Sequence, residues 1–140
     1  MPEQAAAQTL LGFDHGEKRI GVAIGQPISG TASPETTLSA RHGQPDWQQV
    51  DALLEKWRPQ ALVVGWPLQL DGGKSTTTLA AERFARRLEG RYHLPVHLQD
   101  ERLTSVAAEH MLESRGRLPD KAAIDSMAAR IILQHWLDTH

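Results

Sequence analysis

The chain has 140 residues, no cysteine, and a formal net charge of −2 from 15 Lys and Arg against 17 Asp and Glu. This length suits one domain, residues 1–140, that buries about two thirds of its unfolded surface without cross-links. The composition excludes disulfides, thiolate zinc sites and cysteine nucleophiles, and it argues against a generally basic nucleic-acid-binding domain.

The ends of the chain and its apolar runs give no sign of a membrane protein. The N-terminal MPEQAAAQ lacks the basic start and apolar core of a signal peptide. No apolar run approaches the roughly 20 residues that a membrane-spanning helix needs. We therefore expect a cytoplasmic protein without membrane association, and a flexible start over residues 1–8.

The first part of the chain has the pattern of three strands. Apolar runs at Thr9 to Phe13 and Arg19 to Ile24 are joined by a short turn, in which Gly16 can supply a positive φ. A third strand is expected within Gly30 to Leu38, where Pro34 indicates an edge strand or a break near one end.

The period then changes to that of helices separated by short strands. Asp46 with Gln49 resembles a capping box, apolar residues recur at helical spacing as far as Trp57, and Pro59 follows. The later predicted elements are a strand at Ala61 to Val64, a helix at Ser75 to Leu88, a strand at Pro95 to Leu98, a helix at Thr104 to Ser114 with Gly116 as its C-cap, and a helix at Lys121 to Leu137.

This order predicts an α/β fold with a five-stranded mixed sheet and helices on both faces. An antiparallel meander is followed by strands that helical crossovers should make parallel, with the first strand central. Ligands of open sheets gather beyond the strand ends. Asp14 ends the first strand and Asp100-Glu101 ends the last, so their side chains can meet there.

Three acidic positions stand against apolar elements: Asp14, Asp100-Glu101, and Asp125 on an otherwise apolar face of the last helix. Buried acids are costly unless they are paired or bind a cation. Carboxylates suit Mg²⁺ or Mn²⁺, and two such ions can activate water and stabilise a phosphodiester under attack. The pattern therefore suggests a shared metal site.

Simpler roles exist for each acid. Asp14 can be a turn residue, and Asp100 suits the cap of the following helix. Glu101 can pair with a nearby cationic side chain. Asp125 can interact favourably with the dipole of its helix, near the helix N-terminus. For Asp100 the capping role is preferred, and for Glu101 the site. Asp71 or Asp100 remains an alternative fourth acid.

Four blocks together resemble the YqgF family, also written RuvX. They are DHGEKRIGVA at Asp14 to Ala23, VGWPL at Val64 to Leu68 with Asp71-Gly72 after it, DERLT at Asp100 to Thr104, and IDSMAA at Ile124 to Ala129. The blocks span nearly the whole chain in the order that the family has.

The resemblance implies an RNase H-like fold related to RuvC-type Holliday junction resolvases. It implies a metal-dependent endonuclease acting in 5′-end maturation of pre-16S ribosomal RNA, with Asp14, Glu101 and Asp125 as catalytic acids and ligands of Mg²⁺ or Mn²⁺. The chain departs from many RNase H relatives after the fourth strand, where Gly65-Trp66-Pro67 stands instead of an acid.

Substrate binding is assigned to Lys18 and Arg19, just beyond Asp14, and to Arg102 and Thr104 in the DERLT block, near an expected helix N-terminus. A basic helix face is made by Arg83, Arg86, Arg87 and Arg91; such faces are more often simply solvated than bound to RNA.

Other function classes stay open. Branched DNA is an alternative substrate, and a non-catalytic ribosome- or transcription-associated nucleic-acid-binding module is an alternative to an enzyme. The DxG hairpin also resembles the phosphate-binding hairpin of actin-like kinases, which use two such domains. A pre-ribosomal particle is an expected partner, and the protein is expected to be a monomer or a homodimer.

Overall fold

The computed structural model describes residues 8–101, 108, 110, 111, 113 and 120–140. Its strands are β1 (Leu10–Asp14), β2 (Arg19–Gln26), β3 (Thr31–Arg41), β4 (Gln44–Pro45), β5 (Ala61–Trp66) and β6 (Val96–Asp100). Its helices with described bounds are α1 (Trp47–Trp57), α2 (Thr76–Tyr92) and α3 (Lys121–Thr139).

A further helical segment lies between β6 and α3. Its described residues are Ala108, His110, Met111 and Glu113. The bounds predicted for this helix, Thr104 to Ser114, and its C-cap at Gly116 lie outside the described residues. So does the predicted flexible start, apart from Gln8.

The described strands form one mixed sheet in the order β4-β3-β2-β1-β5-β6. β1 pairs antiparallel with β2 and parallel with β5, and β5 pairs parallel with β6. The predicted mixed sheet and the interior position of β1 are confirmed. The predicted count of five strands is one too few, because β4 has only two residues and no alternating pattern.

Two local expectations need correction. β3 runs on to Arg41, and Pro34 lies inside it, opposite Ala23, where a bulge shifts the register between β2 and β3. Gly16 does not take a positive φ. A Cβ at Gly16 would instead stand 2.5 Å from the Arg19 carbonyl oxygen, so the turn needs glycine for space.

Helices cover both faces of the sheet, as predicted. On one face, side chains of the central strands pack with α1 and α2; they include Leu11, Phe13, Ile20, Val22, Leu62, Val64, Val50, Phe84 and Leu88. On the other face, Leu10, Ala23 and Val63 pack against α3. The alternation of side chains along β1 therefore assigns Leu11 and Phe13 to one core and Leu10 to the other.

Glycines on β1 and β2 let α3 lie directly on the sheet. A Cβ at Gly12 would come within 2.8 Å of the Leu133 Cβ, and one at Gly25 within 2.9 Å of its Cδ2. A Cβ at Gly21 would overlap the backbone carbonyl oxygen of Asp125. Close approach of two backbones at this point therefore requires glycine.

The start of α2 is held by its own side chains. Ser75 accepts a hydrogen bond from the Thr78 backbone N–H, and the Thr78 hydroxyl accepts one from the Ser75 N–H. The Thr78 hydroxyl also donates to the Pro67 carbonyl oxygen. These bonds anchor the first turn of α2 to the segment after β5.

Among the described helices, none is long and apolar enough to cross a membrane.

We predict that Gly21→Ala destabilises the protein by about 2–4 kcal/mol, because the new methyl group must displace the α3 backbone. Urea denaturation of both forms measures the change. Gly90→Ala is the matched control: Gly90 is exposed in α2, nothing lies within 4 Å of its Cβ position, and alanine there should be neutral or stabilising by up to about 1 kcal/mol. Equal stability of the two variants would contradict the close approach at Gly21.

Candidate active site at the end of β1

Asp14 stands at the end of β1 between two glycines. Gly21 of β2 is its antiparallel partner. On the other side, Phe13 pairs with Val64, so Gly65 lies next to Asp14. Neither neighbour has a side chain, and the Asp14 carboxyl group has space on both sides.

Glu101 occupies the space above Gly65. A Cβ at Gly65 would stand 2.6 Å from Glu101 Oε1. The Glu101 N–H donates to the Trp66 carbonyl oxygen at 3.2 Å, which continues the β5 to β6 pairing by one residue. The carboxyl groups of Glu101 and Asp14 are hydrogen-bonded to each other. A glycine in β5 therefore lets an acid from the end of β6 reach across to β1.

Asp125 approaches from the side of Gly21. It lies early in α3, and its carboxylate Oδ2 accepts a hydrogen bond from Arg19 Nε at 2.7 Å. The cap of α3 is a different acid, Asp120, which accepts from the Ala123 N–H at 2.7 Å. The structure thus brings Asp14, Glu101 and Asp125 to one region of the sheet, on the face that α3 covers.

Burial and mutual repulsion make this cluster electrostatically unfavourable. Burial, and then the charge of Asp125, hold the pKa of Asp14 above its usual range, although the hydrogen bond from Glu101 partly opposes this. Burial, then the charge of Asp14 and the bond to it, raise the pKa of Glu101 further. One proton is thus shared by the pair, and the two groups titrate together.

The carboxyl oxygens of the pair are suitable ligands for a hard cation. The oxygens of Asp14 and Glu101 are in contact and share a proton, and a divalent ion that replaced this proton would find two carboxylate ligands. Asp125 is ion-paired with Arg19 through Oδ2. In the present arrangement, no three acidic or histidine side chains of the described residues are grouped to hold a metal ion. The three acids that the sequence predicts as ligands therefore stand as a hydrogen-bonded pair and a separate ion-paired acid.

The other predicted residues have different surroundings. Lys18 is exposed beside the turn, whereas Arg19 contacts Asp125. Arg102 and Thr104 lie outside the described residues. Asp71 is exposed and accepts from the Gly73 N–H at 2.8 Å, as a turn residue does. Asp100 ends β6, and its charge contributes to the raised pKa of Glu101.

Sequence reasoning missed the part that Gly21 and Gly65 play. Both glycines lie in the blocks that carry the family resemblance, and that placement was the available signal. Their function is the absence of a side chain, which becomes visible only when the neighbouring strand and helix are in place. The Arg19 to Asp125 ion pair, which joins residues 106 positions apart, was likewise not predicted.

We predict that, without divalent ions, Asp14→Asn is more stable than the wild type at pH 7.5 by about 1–2 kcal/mol, since one pKa unit corresponds to about 1.4 kcal/mol. A carboxyl group whose pKa is raised by folding keeps a proton that the unfolded chain has lost. Its presence therefore lowers stability as pH rises above about 4. Urea denaturation at pH 4 and pH 7.5 measures the difference. A gain of the same size at both pH values would show that it does not come from this titration.

Comparison with known protein families gives a match over residues 8–139, to a model described as RuvX, Holliday junction resolvase. A protein of Pseudomonas fluorescens is 50% identical over 139 residues, covering 96% of this chain and 95% of the relative. A protein of Yersinia pestis is 50% identical over 135 residues, covering 95% and 96%. Both carry the provisional name of a pre-16S rRNA nuclease.

Solved structures of resolvases have the same fold. Thermus thermophilus RuvC in complex with a Holliday junction superposes with a TM-score of 0.54 at 15% identity, covering 94% of both chains. The fowlpox virus Holliday junction resolvase gives a TM-score of 0.54 at 12% identity, covering 94% of this chain and 99% of the viral one. The RNase H-like fold expected from the sequence is confirmed.

Proposed function

The chain belongs to the RuvX family, and on that premise we propose that it is a metal-dependent endonuclease acting in 5′-end maturation of pre-16S ribosomal RNA. Nuclease activity is supported by the family and by relatives about 50% identical over nearly the full chain. The observation that carries the chemistry is the hydrogen-bonded pair of half-buried carboxyl groups, Asp14 and Glu101, with Asp125 close by.

Branched DNA is the second candidate substrate. The family model is described by Holliday junction resolution, and RuvC with a junction bound has the same fold. The names of the relatives favour ribosomal RNA, which is why RNA is the first choice. A non-catalytic binding module is disfavoured by the acids themselves, because buried like charges are costly to keep without a ligand.

The catalytic and metal-binding roles fall to Asp14, Glu101 and Asp125. When bound, Mg²⁺ or Mn²⁺ supplies an activated water and stabilises charge on the phosphate. Asp14 and Glu101 hold the cation once the proton between them is lost, so binding strengthens as pH rises. Arg19 orients the Asp125 carboxylate through its hydrogen bond to Oδ2, and Lys18, Arg102 and Thr104 are assigned to the substrate.

The setting of this activity is part of the proposal. Residues 1–140 act as one domain in the cytoplasm, as a monomer or a homodimer, with the pre-ribosomal particle as partner.

We expect Mg²⁺ or Mn²⁺ to stabilise the wild type against heat. At a concentration tenfold above the dissociation constant, the gain is about 1.4 kcal/mol, or roughly 5 °C. The gain should be larger at pH 8 than at pH 6, and small in Asp14→Asn. Differential scanning calorimetry across a metal titration makes the test. An unchanged melting temperature in the wild type at both pH values would contradict the proposed metal site.

We further expect Asp14→Asn to lower the rate of cleavage on the order of 100-fold or more, because the amide keeps the shape of the side chain but cannot replace a carboxylate ligand. The assay uses a precursor fragment that spans the 5′ end of 16S ribosomal RNA, with Mn²⁺ and equal protein concentrations. Asp71→Asn is the matched control, since it removes one carboxylate from an exposed turn and should leave the rate unchanged.

A four-way DNA junction assayed in parallel separates the two substrates. Faster cleavage of the junction than of the RNA would favour the resolvase. Equal activity of wild type and Asp14→Asn on both substrates would refute the assignment of Asp14.

A further inference from the structure

A basic pocket lies at the same end of β1 as the carboxyl cluster, on the opposite face of the sheet. It has a volume of about 290 Å³, is open to solvent, and is lined by the turn after β1, the hairpin between β3 and β4, and residues 76–87 of α2. Its polar lining includes His15, His42, Thr76, Thr77, Arg83 and Arg87. None of these residues belongs to the acidic site.

The pocket adjoins the acidic site through the backbone. His15 directly follows Asp14, and successive side chains at the end of a strand project to opposite faces. Asp14 faces α3, whereas the His15 ring packs on Phe84 of α2, with 4.7 Å between ring centroids. His15 Nε2 is 2.9 Å from the Gly43 carbonyl oxygen, which ties the ring to the β3 to β4 hairpin. A chain that crosses the end of β1 would contact both sites.

The charge of the pocket suits an anion. Arg83 and Arg87 are one helical turn apart on α2, so both side chains reach the same side. Within the part of the chain that the structure describes, neither forms an ion pair, whereas Arg91 on the same helix is bound to Asp51 at 3.2 Å. Thr76 and Thr77 add hydroxyl groups at the α2 N-terminus, where backbone N–H groups favour negative charge. Glu17 is the one acid in the lining and opposes the anion.

The size of the pocket exceeds a single phosphate group. A volume of about 290 Å³ corresponds to roughly ten water molecules in the liquid, which leaves space for a phosphate and part of its sugar. Phe84 and His15 give one wall an aromatic surface. These dimensions and this chemistry match a nucleotide unit within a strand.

We propose that this pocket binds a phosphate group of the substrate strand next to the one that is cleaved, with Arg83 and Arg87 as its cationic contacts. The proposal rests on the nuclease function proposed above. It assigns the pocket a positioning function: it holds the strand across the end of β1 while the neighbouring phosphodiester lies at the carboxyl pair.

The test measures binding without cleavage, in EDTA, by fluorescence anisotropy of a labelled single-stranded RNA. Arg87→Ala and Arg83→Ala should each weaken binding threefold to tenfold, and each should reduce the slope of log K against log salt by about 0.7. Arg86→Ala is the matched control, because Arg86 is an exposed arginine of the same helix that does not line the pocket. It should change affinity less than twofold. Glu17→Gln should strengthen binding about twofold.

Three outcomes overturn the proposal. Equal losses in Arg86→Ala and Arg87→Ala would indicate a general electrostatic effect, and no loss in Arg83→Ala or Arg87→Ala would exclude the pocket. Uridine monophosphate should compete only at millimolar concentration; competition in the micromolar range would assign the pocket to a free nucleotide instead. Because Asp14→Asn tests cleavage and these variants test binding, failure of one proposal is distinguishable from failure of the other.

Discussion

The position of the acidic cluster depends on the contact between α3 and the glycine positions of β1 and β2. Side chains normally keep a helix well away from a sheet, but Gly12, Gly21 and Gly25 let the two backbones approach closely. The closest point lies at Gly21, opposite Asp14, and it is where Asp125 stands. The close packing of α3 on these glycines therefore covers the apolar side chains of β1 and also places a third acid, Asp125, at the end of the strand.

The same cluster carries the main electrostatic cost in the described fold. Asp14 and Glu101 are half-buried and in contact, and desolvation and repulsion raise the pKa of both groups. A stabilising core would not contain such a pair, and sites that oppose stability are typically functional. The Arg19 to Asp125 ion pair relieves part of the repulsion without supplying a cation to the pair itself. A divalent ion between the two carboxyl groups, as proposed for this site, would relieve the rest of that repulsion.

The two faces of the sheet at the end of β1 give the proposed nuclease two chemically different surfaces. On the α3 face the acids can hold cations for the reaction, and on the α2 face the basic pocket can hold a flanking phosphate. The local arginines explain how a chain with a net charge of −2 can bind a polyanion. The short β4 contributes here, because its hairpin with β3 brings His42 and Gly43 to the pocket wall.

The sequence by itself determined the class of fold and the mixed sheet with β1 inside it, and it singled out the three acids as candidates, because strand and helix periods and the family blocks are local patterns. It did not determine the two-residue β4, the bulge at Pro34, or the reason for glycine at Gly16, each of which depends on a neighbouring strand or turn. Only the tertiary structure decided that Gly65 makes space for Glu101, that Arg19 binds Asp125, and that Arg83 and Arg87 share a pocket with His15. These are contacts between residues distant in the chain, and they depend on the space between packed elements, which no local pattern records.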